Sequence, residues 1–175
     1  MTDILKDITV LDLTQNIAGP FCTQLLGDFG ADVIKVERPH TGDDARKWLS
    51  PASHGIGTAF LAVNRNKRSV GIDIATPQGR DVVRRLADKV DVLVHAVRPG
   101  SLEARGLGYE DLQATNPRLV YCAVSAFGET GPLARDPGYD PLIQAFLEAA
   151  RIPWPEMQAA YMPGSNRPIA NTAVA

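Results

Sequence analysis

The chain has 175 residues, of which 45% are hydrophobic and 22% charged, and its 18 basic and 20 acidic side chains leave a net charge of −2. A composition this balanced is typical of a water-soluble globular domain and excludes a global electrostatic attraction to nucleic acid or to an anionic membrane surface. No stretch approaches the roughly 20 consecutive apolar residues that a membrane-spanning helix needs. We therefore expect small-molecule partners, with no nucleic acid and no membrane.

The N-terminal residues lack the basic stretch and apolar core of a secretory signal. Cys22 and Cys122 lie in separate apolar runs without metal-ligand spacing, so we expect two buried, reduced thiols rather than a disulfide. These two features together predict a cytoplasmic location.

Strand patterns alternate with helical patterns along the chain. Short apolar runs predict strands over residues 8–13, 32–37, 70–74, 92–97 and 119–126. Periodic apolar positions predict helices over residues 20–29, 57–64, 77–89, 109–114 and 139–150. Alternation at this spacing is typical of an α/β fold with a mainly parallel sheet and flanking helices.

The pattern also predicts which faces are buried. The helix over 77–89 has a hydroxyl at Thr76 that can cap its free amides and Pro77 in its first turn. Its apolar stripe consists of Val82, Val83, Leu86, Ala87 and Val90. The first helix is expected to present one apolar face made of Phe21, Cys22, Leu25, Leu26 and Phe29. The strand over 119–126 is mostly apolar, so we expect it to be buried on both faces.

Basic residues mark a candidate anion site. The carboxyl ends of parallel strands meet at one edge of a sheet, where ligands of open α/β folds bind. Arg38 and Arg98 each follow a predicted strand, and guanidinium groups at that edge suit phosphate oxygens. The basic loop over residues 64–69 has two interpretations: an anion site, or a solvated loop before an edge strand.

Motifs of several other sites are absent from the sequence. No GxGxxG follows a strand, and there is neither a P-loop nor a GxSxG nucleophile motif. His40, His54 and His95 are isolated, so we expect no metal site. Asp140, in the tetrapeptide GYDP, could present a carboxylate or could cap a helix that starts at Pro141.

Four ordered segments carry a resemblance to a known family. They begin VLDLTQNIAGPF at residue 10, NRNKRSVGIDIA at residue 64, NPRLVYCAVSAF at residue 116 and GYDPLIQAF at residue 138. Together they cover about residues 5–146 and resemble the class III coenzyme A transferases, the family of formyl-CoA transferase and carnitine CoA-transferase. The resemblance implies a Rossmann-like domain that binds coenzyme A (CoA) over residues 1–146, incomplete relative to the family. Residues 147–175 do not match, and their scattered prolines predict a loosely ordered tail or an extended segment that wraps a neighbour.

The resemblance also implies which residues contact CoA. They fall in the loops after the predicted strands and in the GYD segment. The implied contacts are Asn16, Ile17, Ala18, Arg38, Ile72, Asp73, Ile74, Ala75, Ala96, Val97, Arg98, Arg105, Pro137, Gly138, Tyr139 and Asp140. Three positions depart from the family pattern. The family has an arginine near position 104, where this chain has Ala104 followed by Arg105. Pro137 stands where some members have a lysine, and Ile17 stands where some members have an active-site glutamine.

By resemblance, the activity moves CoA between an acyl-CoA and a carboxylic acid through an aspartyl-CoA intermediate, without a metal. The attacking aspartate of the family lies about thirty residues beyond GYD, which here is near Ile169, and Asp140 would be a supporting carboxylate. No Asp follows Asp140, so we expect a chain truncated before the nucleophile and inactive alone. Full-length members are interlocked homodimers.

Three other functions stay open. A non-catalytic module that binds CoA or a nucleotide would keep the site without the chemistry. An acyl-CoA racemase would carry histidine where this chain has Tyr139, which disfavours it. A nucleotide-dependent oxidoreductase is disfavoured because the glycine fingerprint is missing.

Overall fold

The computed structural model describes residues 3–48, the backbone of 51–53, residues 55–136 and Gly138. The chain divides into two compact units, Met1–Val124 and Ser125–Ala175. All the helices and strands of the described residues lie in the first unit. The predicted helix over 139–150 and the tail lie outside the described residues.

The elements alternate as the sequence predicts. The strands are β1 (Thr9–Leu13), β2 (Asp32–Glu37), β3 (Pro51–Ser53), β4 (Ile56–Gly57), β5 (Lys67–Gly71), β6 (Val92–His95) and β7 (Val120–Ala123). The α-helices are α1 (Ala18–Asp28), α2 (Thr58–Val63), α3 (Pro77–Ala87) and α4 (Tyr109–Gln113), and short 3₁₀ turns span Asp44–Lys47 and Glu103–Arg105.

Five strands form one parallel sheet in the order β5-β2-β1-β6-β7. The chain builds outward from β1 through β2 to β5, and then returns to the other side of β1 to add β6 and β7. The order of the strands therefore reverses between β1 and β6. This arrangement confirms the predicted α/β class with a parallel sheet and flanking helices. β3 and β4 form a separate antiparallel pair.

The larger core lies between one face of the sheet and α3 and α4. Leu11 and Leu93 are fully buried there against Val83 and Leu112. The predicted start of α3 is confirmed, because Thr76 Oγ1 accepts a hydrogen bond from Gly79 N at 3.1 Å. The predicted apolar stripe of this helix also packs into the core. Local sequence signals and tertiary packing agree fully in this element.

Leu26 packs against a smaller core of Val10, Ala31, Val33 and Val94, but most of the predicted face of α1 is wrong. Its buried residues are Gly19, Pro20, Thr23 and Gln24, whereas the side chains expected to face the core, Phe21, Leu25 and Phe29, are 49%, 41% and 47% exposed. The reason lies in the sheet below the helix, which carries buried charged groups that small and polar helix residues can satisfy. The prediction from apolar periodicity alone placed the opposite side of the helix against the core.

Two strand predictions also need correction. β7 is not buried on both faces: it is the last strand of the described sheet, and Val120 is 58% exposed. β5 begins at Lys67 rather than at residue 70. Its polar residues pair with groups on β1 and β2, so the strand forms through tertiary contacts rather than through an apolar pattern.

Within the described residues, none of the helices is both long and apolar enough to traverse a bilayer. The same part of the chain holds no cluster of three or more histidine, cysteine, aspartate or glutamate side chains placed to bind a metal ion.

Candidate functional site

The order of the strands reverses between β1 and β6, which marks a candidate binding position at one edge of the sheet. In open parallel sheets, ligands bind beyond the carboxyl ends of the strands where the order reverses. Here that position lies between β1 and β6, so it is flanked by the loops that follow Leu13 and His95. These loops contain two groups of predicted CoA contacts, which are Asn16, Ile17, Ala18, Ala96, Val97 and Arg98.

The loop from β1 to α1 is tightly constrained. A Cβ on Gly19 would lie 2.5 Å from the Thr14 side chain, so only glycine allows this approach. Asn16 has a φ of 69°, a left-handed conformation that costs a non-glycine residue energy. Ile17 precedes α1 and makes no side-chain cap, so the first amide groups of the helix are available to an anion.

The loop after β2 carries Arg38 at the same edge. Its guanidinium group donates to the carbonyl oxygen of Gly42 at 3.3 Å and pairs with Asp44. The Arg38 and Asp44 side chains are 47% and 56% exposed, and such surface ion pairs contribute little to stability. A phosphate group could therefore replace Asp44 as the partner of Arg38 at small cost.

The loop after β5 forms a compact turn. Ile72 places its side chain in the core, which leaves its backbone as the part that a ligand could contact. Asp73 Oδ1 accepts from Ala75 N at 2.9 Å, and Arg80 Nη1 donates to the carbonyl oxygen of Ala75 at 2.8 Å. Ile74 packs partly against the core. The turn thus presents mainly backbone, with one cation beside it.

The loop after β6 carries an exposed arginine at this edge of the sheet. Arg98 is exposed, and no described residue forms an ion pair with it. Arg105 donates from Nη1 to the carbonyl oxygen of Ser101 at 2.5 Å within the same loop region. Ala96 is exposed and Val97 is half-buried. This loop could supply Arg98 to a phosphate directly.

The basic loop over 64–69 lies at the opposite edge of the sheet. Lys67 is in register with Val33 near the start of β2, so this loop adjoins the amino ends of the strands. Its cations are engaged within the protein: Arg65 with Asp28, Arg68 with Asp32, and Lys67 with Asp12 at 3.1 Å. The structure favours the non-functional interpretation of this loop.

Sequence reasoning missed a buried polar network beneath α1. Asp12, Lys35, Glu37 and Asp43 are each at most 4% exposed, and Lys67 has a side chain that is 2% exposed. Burial alone would raise the pKa of Glu37, but hydrogen bonds from Arg46, Ser69 and the Asp43 backbone outweigh it and lower that pKa to about 2. The available signal was the charged residues within the apolar patterns of β1 and β2, TVLDL and DVIKVE.

Both cysteines are free thiols, as predicted, although they are half-buried rather than fully buried. Burial raises the pKa of Cys22, and the nearby Cys122 and Asp12 act in the same direction. A thiol with a raised pKa is a poor nucleophile at neutral pH. The described residues therefore assign no covalent role to Cys22.

The rest of the predicted site is in the second unit. Gly138 is exposed. Pro137, Tyr139 and Asp140 lie outside the described residues, so their predicted roles stay predictions.

Comparisons with known proteins agree with this fold. The family described as CoA-transferase family III matches residues 5–162. The mouse succinyl-CoA:glutarate CoA-transferase is 44% identical over 160 residues, which cover 91% of this chain and 37% of that protein. The succinyl-CoA–D-citramalate CoA-transferase of Chloroflexus aurantiacus is 46% identical over 141 residues, or 81% of this chain and 35% of the relative. The chain thus spans little more than a third of the length of these curated relatives.

Solved structures give the same result. A CaiB/BaiF family protein from Brucella suis superposes with a TM-score of 0.78 at 44% identity, over 83% of this chain and 39% of that one. Rv3272 from Mycobacterium tuberculosis, in its orthorhombic form, gives a TM-score of 0.78 at 42% identity, over 89% and 44% of the two chains. Since the family match covers most of the sequence, the chain belongs to CoA-transferase family III.

Proposed function

We propose that this chain forms the CoA-binding part of a class III CoA-transferase, which moves CoA between an acyl-CoA and a carboxylic acid through an aspartyl-CoA intermediate. The observation that carries the proposal is the reversal of strand order between β1 and β6, with Arg98 exposed in the loop that follows β6. The residues at this edge suit CoA, whose phosphates need cationic and amide donors and whose remaining length needs an open groove.

Each loop of the edge has a separate role in this proposal. Arg98 and Arg38 bind phosphate oxygens, and Arg105 adds a third cation. The backbone around Asn16 and the turn at Ile72–Ala75 position the rest of the molecule. By the resemblance, we propose Pro137, Gly138, Tyr139 and Asp140 as further CoA contacts, with Asp140 as a supporting carboxylate. We propose residues 1–146 as the CoA-binding domain, and the family match continues past this boundary to residue 162.

The substrates follow from the relatives by analogy. The names of two matched relatives pair succinyl-CoA with glutarate and with D-citramalate. We extend this class to the present protein and propose dicarboxylic acids and their CoA esters. The free thiols of Cys22 and Cys122 support a reducing compartment, and we propose the cytoplasm.

A non-catalytic CoA-binding module is the second candidate. It is favoured by one observation, which is that no aspartate follows Asp140 in the sequence. The class III mechanism needs a carboxylate nucleophile beyond that position, so these 175 residues supply the binding site without the attacking group. The two candidates share the CoA site and differ in turnover.

Calorimetric titration of the purified chain with CoA tests the shared site. Arg38→Glu and Arg98→Glu each place a negative charge where we propose phosphate, and each should weaken binding about tenfold or more. Arg85→Glu makes the same charge change on an exposed position in the last turn of α3, away from this edge, and should leave affinity unchanged. No heat of binding to the wild-type chain, or equal loss in all three variants, would contradict the proposal.

A further inference from the structure

Asp43 connects two loops of the candidate site. It lies in the segment after β2, five residues beyond Arg38, and its side chain is fully buried. Asn16 N, in the loop after β1, donates to both oxygens of this carboxylate, at 3.0 Å to Oδ1 and 3.2 Å to Oδ2. Ala45 N also donates to Oδ1, at 3.0 Å, so Asp43 caps the 3₁₀ turn that follows it. One carboxylate thus holds the backbone of both loops.

Lys35 completes this connection from inside the sheet. It is a buried residue of β2 with only 1% of its side chain exposed. Its Nζ lies 3.0 Å from Asp43 Oδ2 and donates to the carbonyl oxygen of Thr14 at 2.8 Å. The ammonium group therefore fixes the start of the β1–α1 loop while it orients the carboxylate that holds Asn16.

The conformation of Asn16 benefits from such support. Its φ of 69° lies in the left-handed region, which asparagine adopts more readily than other non-glycine residues but which is still less favourable than the right-handed region. The Asn16 side chain is exposed and its backbone amide is the group that Asp43 holds. Without that acceptor, the loop would lose the interaction that offsets the strain. The direction of the residues from Asn16 to Ala18 would then no longer be fixed.

A buried ion pair is a costly way to gain stability. Desolvation of both charges often exceeds their attraction, and apolar residues of similar volume frequently stabilise a protein equally well. The geometric role described above gives this pair a function that apolar residues could not perform. We propose that Lys35 and Asp43 are a positioning pair, which sets the Asn16 backbone and the Arg38 loop relative to each other for binding of CoA. This inference rests on the proposed function.

A double variant that removes both charges separates an effect on the position of the loops from an effect on the stability of the fold. Lys35→Met with Asp43→Leu removes both charges and the acceptor of Asn16 N, without leaving an unpaired buried charge. We expect a cooperative melt and a CoA affinity about tenfold or more below that of the wild type. A second double variant, Lys35→Met with Asp43→Asn, also leaves no unpaired buried charge, but it keeps an oxygen that can accept from Asn16 N and should recover part of the affinity. Amide exchange at Asn16 should be faster in the first double variant than in the second.

Asp91→Leu is the matched control. Asp91 also accepts a backbone hydrogen bond from β1, from Thr9 N at 2.9 Å, but it does so at the amino edge of the sheet. Its substitution should lower stability and leave CoA affinity unchanged.

Wild-type affinity for CoA in the folded double variant would overturn this inference and leave the proposed function standing. Absence of CoA binding by the wild-type chain would overturn the proposed function and this inference together. If the first double variant does not fold, Lys35→Met with Asp43→Asn decides the question. Wild-type CoA affinity together with wild-type amide exchange at Asn16 in that variant would overturn the inference that Lys35 and Asp43 act as a positioning pair.

Discussion

Glu37 shows how one buried carboxylate joins three parts of the chain. It ends β2 and accepts two hydrogen bonds from Arg46, both at 2.7 Å, and one from Ser69 Oγ at 2.6 Å. It also accepts from Asp43 N at 2.9 Å. Arg46 in turn stacks on Phe60, with its guanidinium carbon 3.7 Å from the ring centre. A single residue therefore holds the segment after β2 against β5 and α2.

These contacts predict an acid-dependent loss of stability. Because the pKa of Glu37 is about 2 in the folded chain and 4.5 ordinarily, its contribution is fully present above about pH 4.5 and is lost as the pH falls towards 2. Glu37→Gln should lower the free energy of unfolding at pH 7 by about 2 to 3 kcal/mol and flatten the decline below pH 4.5. Urea titrations from pH 7 to pH 2 measure both effects.

Glu110→Gln, on the exposed surface of α4, is the control for this experiment. It should change the free energy of unfolding at pH 7 by less than about 0.5 kcal/mol. If the free energy of unfolding of Glu37→Gln fell with pH as steeply as that of the wild type, stabilisation of the ionised Glu37 carboxylate would not be the cause of the acid-dependent loss.

At the scale of elements, α1 differs most from its sequence pattern. The residues at positions 17, 21, 25 and 29, spaced by four, are apolar and between 40% and 49% exposed. On the inner side, Thr23 Oγ1 donates to Asp12 Oδ2 at 2.6 Å, where both residues are fully buried. The helix is therefore anchored by polar contacts and leaves an apolar stripe on its outer side.

This reversal predicts an unusual order of mutational effects on α1. Phe21→Ser should lower the free energy of unfolding by less than about 1 kcal/mol because half of the side chain is already exposed. Thr23→Val keeps the shape of Thr23 but leaves Asp12 without one donor, and it should cost about 1 to 3 kcal/mol. Chemical denaturation of the two variants ranks them. A loss of about 3 kcal/mol or more for Phe21→Ser would mean that this face is part of the core after all.

At the scale of the whole molecule, one edge of the sheet collects the candidate site. Residues far apart in sequence reach this edge because all five strands point the same way. The binding groups that the described residues present there are cations and backbone amides. The chemistry of the family needs in addition a carboxylate nucleophile, and the sequence has no aspartate after Asp140.

We therefore expect the 175-residue chain to bind CoA without transferring it. Incubation with an acyl-CoA and a carboxylic acid, followed by chromatography of the CoA esters, should show only the uncatalysed background rate. The same sample should still bind CoA in the calorimeter, which confirms that the site is intact. Exchange of CoA between acids that disappears in Arg98→Glu would contradict this expectation and assign catalysis to residues of this chain.

Much of the position of the candidate site was predictable because it depends on local patterns. Arg38 and Arg98 each follow an apolar strand, and the parallel arrangement brings such residues to one edge. The role of Asp43 was not predictable, because its contact with Asn16 joins residues 27 positions apart. Ile72 illustrates a third case, since the resemblance implied a CoA contact and the structure shows that its side chain is buried.

The sequence by itself determined the order and type of the main elements, the capped start of α3 and the parallel α/β class, because apolar periodicity and capping residues act locally. Only the tertiary structure decided that α1 buries its polar face, that β5 begins at Lys67 and that β7 is the last strand of the described sheet. The physical reason is the same in the first two cases. Buried charges on β1 and β2 select their partners through space, and no periodic pattern along the chain records that choice.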